Sequence, residues 1–425
     1  MNEESSIRPS IALILVLLTA AGAPLSGQTS HDDYDDVDPW SGVRPTLAGP
    51  DSAAIVEFLA GLAASEPVVC QLAVNSVGNN RSHWDGDYRT GMLQGENPEE
   101  TARQTISRPV TGGGGLSVLA EALGNQSLCI RRAAARMLGQ SGRPEASRLL
   151  RNALRQRTPR VREAAALGLA SAEDPGSFSD LTSALHDREP AVVRMAAYAL
   201  GELEDARGVK PLAHLLENED ADIRATAAAA LGEIEDYRAA EPLTRLVRDR
   251  EPRVRLAAVE ALGEIEDRRA TGPLTEALRD KDVNVRRAAA EALGEVEDHK
   301  SAGALAKAID DADPVVRRLA AQALGELDDL DRAPARLRTA LGDNDSTLRI
   351  IAAQSLGEIA DADAIPALSL AYRNEDPRLR YAVIKALAEI EDRGADATLT
   401  LARQDRDQIV RRTATEALED RHDDD

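Results

Sequence analysis

Aromatic side chains make up only 2% of the 425 residues. That scarcity argues against an interface built on large aromatic anchors, so any partner surface should be polar and charge-guided. Cysteine is nearly absent as well. Cys70 and Cys129 permit one disulfide at most, or two buried small hydrophobes. Positive charge is in deficit: the formal net charge is −22 and the pI about 4.8. An acidic surface repels phosphate backbones, which excludes duplex nucleic acid as the natural partner. Long apolar runs are missing too, with one exception at residues 11–25, "IALILVLLTAAGAPL".

That one run is short for a membrane span and suits the core of a signal peptide. Small residues follow it in "SGQ", which places cleavage after Gly27. Glu3 and Glu4 depart from the usual positive start of such segments. The reading is therefore a signal peptide over residues 1–27 and an exported protein, periplasmic or secreted. An uncleaved N-terminal membrane anchor is the alternative. No membrane span is expected once the signal is removed. Residues 28–50, with "HDDYDDVDPW", read as an acidic linker without calcium-loop spacing.

What the chain does contain is repetition. Leu138, Leu169, Leu200, Leu231, Leu262, Leu293 and Leu324 stand 31 residues apart. Leu356 follows after one extra residue, and Leu387 and Leu418 resume the period. Ten units of this kind mean stacked supersecondary modules. In "EPRVRLAAVEALGEIED", Val254, Ala257, Ala258, Ala261, Leu262 and Ile265 fall on one stripe at the helical period. Pro252 takes the first helical position. Side-chain acceptors recur at the cap: Ser127, Thr158, Glu189, Asp220, Glu251, Asp282, Asp313, Asp345, Asp376 and Asp407. Gly263 near the helix end allows either close packing or a left-handed cap. A first helix precedes this one in each unit, as in "PLTRLV", with Pro211, Pro242, Pro273, Pro334 and Pro366 early in it. Such prolines either begin the regular part or kink it.

The expected fold is thus all-α: an α-solenoid, or α-α superhelix, of stacked antiparallel helix pairs with period 31. Ten repeats occupy residues 116–419. "EPVVCQLAVNSVGN" aligns with "EPRVRLAAVEALGE", so residues 51–79 read as an additional N-terminal repeat. Residues 80–115, rich in Gly and Asn, read as an insert or a decayed repeat, and residues 420–425 as an acidic tail.

The units resemble HEAT repeats of the short kind first associated with phycobilin lyases (PBS lyase HEAT-like repeats). The residues carrying the likeness are "DPVVRRLAAQALGE" from Asp313 and "EPRVRLAAVEALGE" from Glu251. Ankyrin repeats would need a hairpin segment and a histidine that are missing. Tetratricopeptide repeats would need aromatics. One family with similar repeats, deoxyhypusine hydroxylase, binds iron through His-Glu pairs. None of His31, His83, His186, His214, His299 and His422 is followed by Glu. A metal-dependent hydroxylase or lyase-related enzyme on these repeats is therefore the weaker alternative. No cofactor, metal ligand set or catalytic residue is expected, and no enzyme activity.

Two rows of arginines remain. Arg131, Arg162, Arg224, Arg255, Arg286, Arg317, Arg349, Arg380 and Arg411 lie four residues after the cap. They are expected to form a structural ladder with cap carboxylates or loop carbonyls. Cys70 and Val193 interrupt that row. One residue further on, Arg132, Arg194, Arg287, Arg318, Tyr381 and Arg412 occupy a variable, solvent-facing position. They are the candidate contacts for a protein partner of acidic or mixed charge along the concave face. Cys70 and Cys129 fall on helices that become neighbours if the insert loops out, so they are a candidate disulfide.

Overall fold

In the computed structural model the described residues are 113–423, together with Ile55, Leu59 and Ala60 of an earlier helix. The expected signal peptide, the acidic linker, the insert up to residue 112 and Cys70 lie outside them. Most of the expected N-terminal repeat at residues 51–79 lies outside them too; Ile55 and Leu59 are buried.

Two compact units divide the chain between Leu203 and Glu204. In the first, helix pairs run α1 (Gly113–Ala122) with α2 (Leu128–Gln140), α3 (Pro144–Leu154) with α4 (Pro159–Ala170), and α5 (Phe178–Ala184) with α6 (Pro190–Gly201). In the second they run α7 (Val209–Leu215) with α8 (Ala221–Glu233), α9 (Ala240–Leu246) with α10 (Pro252–Glu264), and α11 (Thr271–Ala277) with α12 (Val283–Glu295). The remaining pairs are α13 (Ala302–Ala308) with α14 (Pro314–Glu326), α15 (Ala335–Ala340) with α16 (Ser346–Glu358), α17 (Ile365–Ala371) with α18 (Pro377–Glu389), and α19 (Asp396–Ala402) with α20 (Gln408–Asp423). The described residues hold no strand. Each unit is an α-solenoid segment in which the second helices pack directly on one another, α2 on α4 on α6 and α8 through α20 in succession. α20 runs on to Asp423, into the residues read as the acidic tail.

Every helix contributes a leucine to the core, fully buried in all but the last, among buried Ala, Val and Ile. Leu119, Leu150, Leu181, Leu212, Leu243, Leu274, Leu305, Leu337, Leu368 and Leu399 from the first helices are 0% exposed. So are the nine periodic leucines from Leu138 to Leu387 in the second helices. Each such burial stabilises by about 1.5–3 kcal/mol. The tenth, Leu418, is only half-buried. Arg421 ties α20 to the preceding pair. Its guanidinium donates to the carbonyls of Leu387 and Ile390, which end α18, and to Asp396 of α19.

Local chemistry explains the joints. Glu173, Glu204, Glu235, Glu266 and Glu297 adopt left-handed backbone, with φ from 45 to 53°. The following aspartates, Asp174, Asp205, Asp236, Asp267 and Asp298, accept an N–H two residues on and start a 3-10 turn. That turn feeds the first helix. Pro211, Pro242 and Pro273 then sit third in it, and Pro366 second, where a missing N–H leaves no helical bond unmade. Pro334 is the residue just before α15.

Gly263 lies inside α10, so the left-handed cap falls to Glu266 and the glycine serves packing. The caps differ from expectation in four places. Asp220, Asp282, Asp313, Asp345 and Asp376 accept backbone N–H groups of their helices, and Asp407 those of Ile409 and Val410. Ser127, Thr158, Glu189 and Glu251 accept none. At Glu189 and Glu251 the cap residue's own N–H is bound instead, by Asp187 and Asp249 two residues earlier.

Candidate interaction surface

Those earlier aspartates organise the first arginine row. Arg255 Nε and Nη2 donate to Asp280 of the next repeat at 2.7 and 2.8 Å, and Nη1 donates to the Asp249 and Arg250 carbonyls of its own repeat. The same fork joins Arg162 to Asp187, Arg224 to Asp249, Arg286 to Asp311 and Arg380 to Asp405, always 25 residues apart. The partner is thus the residue two before the next cap, not the cap carboxylate. Burial opposes ionisation of Asp249, Asp280 and Asp311. The arginine and the cap N–H outweigh it and hold each carboxyl below its ordinary range. Asp405, which also accepts from the buried Tyr372 hydroxyl at 2.6 Å, is lowered to about 2.

The ladder has gaps. Val193 replaces an arginine, and the acceptor position 25 residues later holds Asn218. Arg131, Arg317, Arg349 and Arg411 donate only to carbonyls: Asn125 and Gln126; Asp311 and Ala312; Asp343; Asp405. Arg349 Nε is buried without a partner, and Asn374 stands where its carboxylate would be. These arginines are therefore packing devices. Cys129 is disulfide-bonded.

The second row is more occupied than a free surface would be. Arg287 forks onto the next cap, Asp313, at 2.7 and 3.0 Å, and Arg318 reaches Asp345 at 2.8 Å. Arg412 pairs with Glu416 one turn on. Arg132 and Arg194 are half-buried, while Tyr381 is exposed. Helical spacing places a further feature on the same stripe. Positions four and eight residues later carry Glu291 and Glu295 after Arg287, Gln322 and Glu326 after Arg318, and Lys385 and Glu389 after Tyr381.

The far end of that stripe is a row of glutamates, one per repeat. Glu264, Glu295, Glu326, Glu358 and Glu389 each lay Oε2 over the glycine of the preceding repeat, Gly232, Gly263, Gly294, Gly325 and Gly357. Burial against that helix and then neighbouring carboxylates push Glu264 up to about 7. Those neighbours are Glu233, Glu260, Glu295 and Glu235. Glu295 and Glu358 are raised for the same reasons. Water still reaches all five side chains, which are exposed along one flank.

A family model described as HEAT repeats matches in seven overlapping windows, from residues 116–201 through 148–224, 178–251, 209–289, 243–325 and 271–356 to 334–419. The chain belongs to the HEAT repeat family. No curated protein sequence matches this HEAT-repeat chain. Among solved structures, an engineered protein is similar at 22% identity, covering 72% of this chain and 98% of its own, with a TM-score of 0.49. Human deoxyhypusine hydroxylase shows 22% identity, 66% and 96% coverage and a TM-score of 0.28. The phycocyanin lyase complex of Nostoc shows 23%, 60% and 92%, and 0.34.

Sequence reasoning on this HEAT protein missed two things. The acceptor aspartate two before each cap was visible as a recurrence at Asp187, Asp249, Asp280, Asp311 and Asp405. The glutamate of "LGE" was visible too, but only helix stacking places it over its neighbour's glycine. Among the described residues no three His, Cys, Asp or Glu side chains converge as metal ligands, and no helix is long and apolar enough to cross a membrane.

Proposed function

We propose that this HEAT-repeat protein is a non-enzymatic scaffold that binds a protein partner along the second-helix layer, taken as the concave face, and that the partner presents lysine or arginine side chains to it. The observation that carries this reading is the glutamate row from Glu264 to Glu389, one carboxylate per repeat. The charges nearest Glu264 and Glu295 are other carboxylates. Like charges held in line raise the local potential and attract an extended run of opposite charge. In the Glu204–Asp425 unit the N-terminal end of each stripe, with Arg287, Arg318, Tyr381 and Arg412, supplies the second line of contact, while Arg132 and Arg194 of the first unit are separate candidates. Because Arg287 and Arg318 are already ion-paired, they set orientation more than affinity.

In this reading the protein acts outside the cytoplasm, which rests on the apolar run at residues 11–25. The test is titration of the protein, residues 28–425, with an oligolysine peptide at two salt concentrations. Binding should weaken with salt, and should fall at least about tenfold in the E264Q/E295Q/E326Q/E358Q variant, a loss of about 1.4 kcal/mol. Equal affinity for the variant would remove the glutamate row from the account.

A further inference from the structure

The glutamate row has a consequence that does not depend on any partner. We infer that it is a proton-operated stiffening element: protonation along the row tightens the second-helix layer of the Glu204–Asp425 unit, and ionisation loosens it. The geometry is a chain of contacts. Each carboxylate is fixed over a glycine of the helix before it, so it cannot swing away from the row without leaving the inter-repeat contact. Glu264, Glu295 and Glu358 are also within electrostatic reach of carboxylates in the repeats before and after them.

The groups facing each member are nearly all acidic. Around Glu264 stand Glu233 of α8 and Glu235 in the turn after it, Glu260 of its own α10, and Glu295 of α12. Around Glu295 stand Glu260 of α10 and Glu266 after it, Glu291 of α12, and Glu326 of α14. Glu358 faces Glu326 of α14 and Glu389 of α18, with Lys385 of α18 as an opposing cation. Lys385 sits 3.5 Å from Glu389, so the row is partly neutralised at that end.

The titration direction agrees. Glu264, Glu295 and Glu358 bind protons more tightly here than an ordinary glutamate does, Glu264 up to about 7. A raised carboxyl contributes stability that is fully present below its unfolded value near 4.5 and is lost as pH rises through its folded value. The ladder aspartates stay ionised over that whole interval, because their own values are lowered. The two responses are therefore separated in pH.

The test is thermal unfolding of residues 28–425 between about pH 5.5 and about pH 8.5, with wild type beside E264Q/E295Q, since glutamine mimics the protonated acid. Wild type should lose about 3 °C or more across that window, and the variant should be flatter and the more stable of the two at the alkaline end. The difference profile between the two proteins reports the row. A second arm adds about 0.5 M salt at the alkaline end, which should raise the wild-type Tm more than the variant's by screening the row. Parallel profiles for the two proteins, or a variant less stable than wild type at about pH 8.5, would overturn the inference. Because no partner is present, this result stands or falls separately from the oligolysine titration.

Discussion

Glu295 lies over Gly263, and the same glycine sets how closely α12 approaches α10. A Cβ at residue 263 would meet Ala292 Cβ at 2.8 Å and Ala292 Cα at 3.1 Å. The glutamate tip could yield, but the Ala292 backbone could not without separating the two helices. The "LGE" triplet is thus a three-part joint: leucine in the core, glycine for contact, glutamate laid across the neighbour.

Gly263→Ala should therefore destabilise, although alanine favours helix by about 1 kcal/mol over glycine. Overpacking typically costs 1–3 kcal/mol, so a net loss of roughly 1 kcal/mol or more is expected, read as a lower urea midpoint. A midpoint raised by the substitution would show that the helices are not in limiting contact there.

Asp280→Ala would leave Arg255, only 4% exposed, without its fork. Removing one member of a buried pair costs about 3–5 kcal/mol. The acid response follows from the same pairs. Their aspartates have lowered values, so their stabilisation is present above the unfolded value of 3.8 and is lost as pH falls toward about 2, the value of Asp405. Urea midpoints measured from about pH 5 to about pH 3 should fall in wild type and fall less in the variant, which has already lost one pair.

Asn374→Asp should do the reverse. Asn374 already accepts the Asp376 N–H at 2.9 Å, as the ladder aspartates do at their own caps, and Arg349 is its partner by register. A carboxylate there would give the orphaned Arg349 Nε an acceptor. Hydrogen bonds to charged groups contribute about 1.5–3 kcal/mol before burial is charged against them, so a gain of about 1 kcal/mol is expected. An unchanged or lower Tm would mean that the register does not carry over to this joint.

The left-handed glutamates offer a fourth test. A non-glycine residue in this region costs roughly 1–2 kcal/mol, of which glycine's extra chain freedom takes back part. Glu235→Gly, Glu266→Gly and Glu297→Gly together should raise the urea midpoint. A fall would show that these side chains hold the turn by contacts that outweigh the backbone strain.

Much of the fold was legible because a 31-residue period exposes every fixed position at once. The periodic leucines, the Pro252-type helix starts and the ten helix pairs all follow from spacing. What spacing cannot give is contact between copies. The Arg255 row was legible as a ladder onto cap carboxylates or loop carbonyls, and Arg255 does reach the loop carbonyls of Asp249 and Arg250, but the carboxylate it meets is Asp280 rather than the cap Asp282, a choice that depends on how the next loop curls. The Arg287 row was read as open surface, whereas Asp313 of the following repeat lies within its reach. The glutamate row escaped notice for a related reason: an acidic residue near a helix end looks like ordinary solvated surface until the next helix is stacked upon it.

The most direct measurement of the central claim is a three-bait capture from the native exported fraction, using residues 28–425 as wild type, as E264Q/E295Q/E326Q/E358Q, and with Arg194, Arg287, Arg318 and Arg412 changed to Glu. The account predicts one basic protein retained by wild type, lost from the glutamine bait and still retained on the arginine-reversal bait, whose added carboxylates do not repel it. The same proteins on all three baits, or a partner lost only with the arginines, would contradict it.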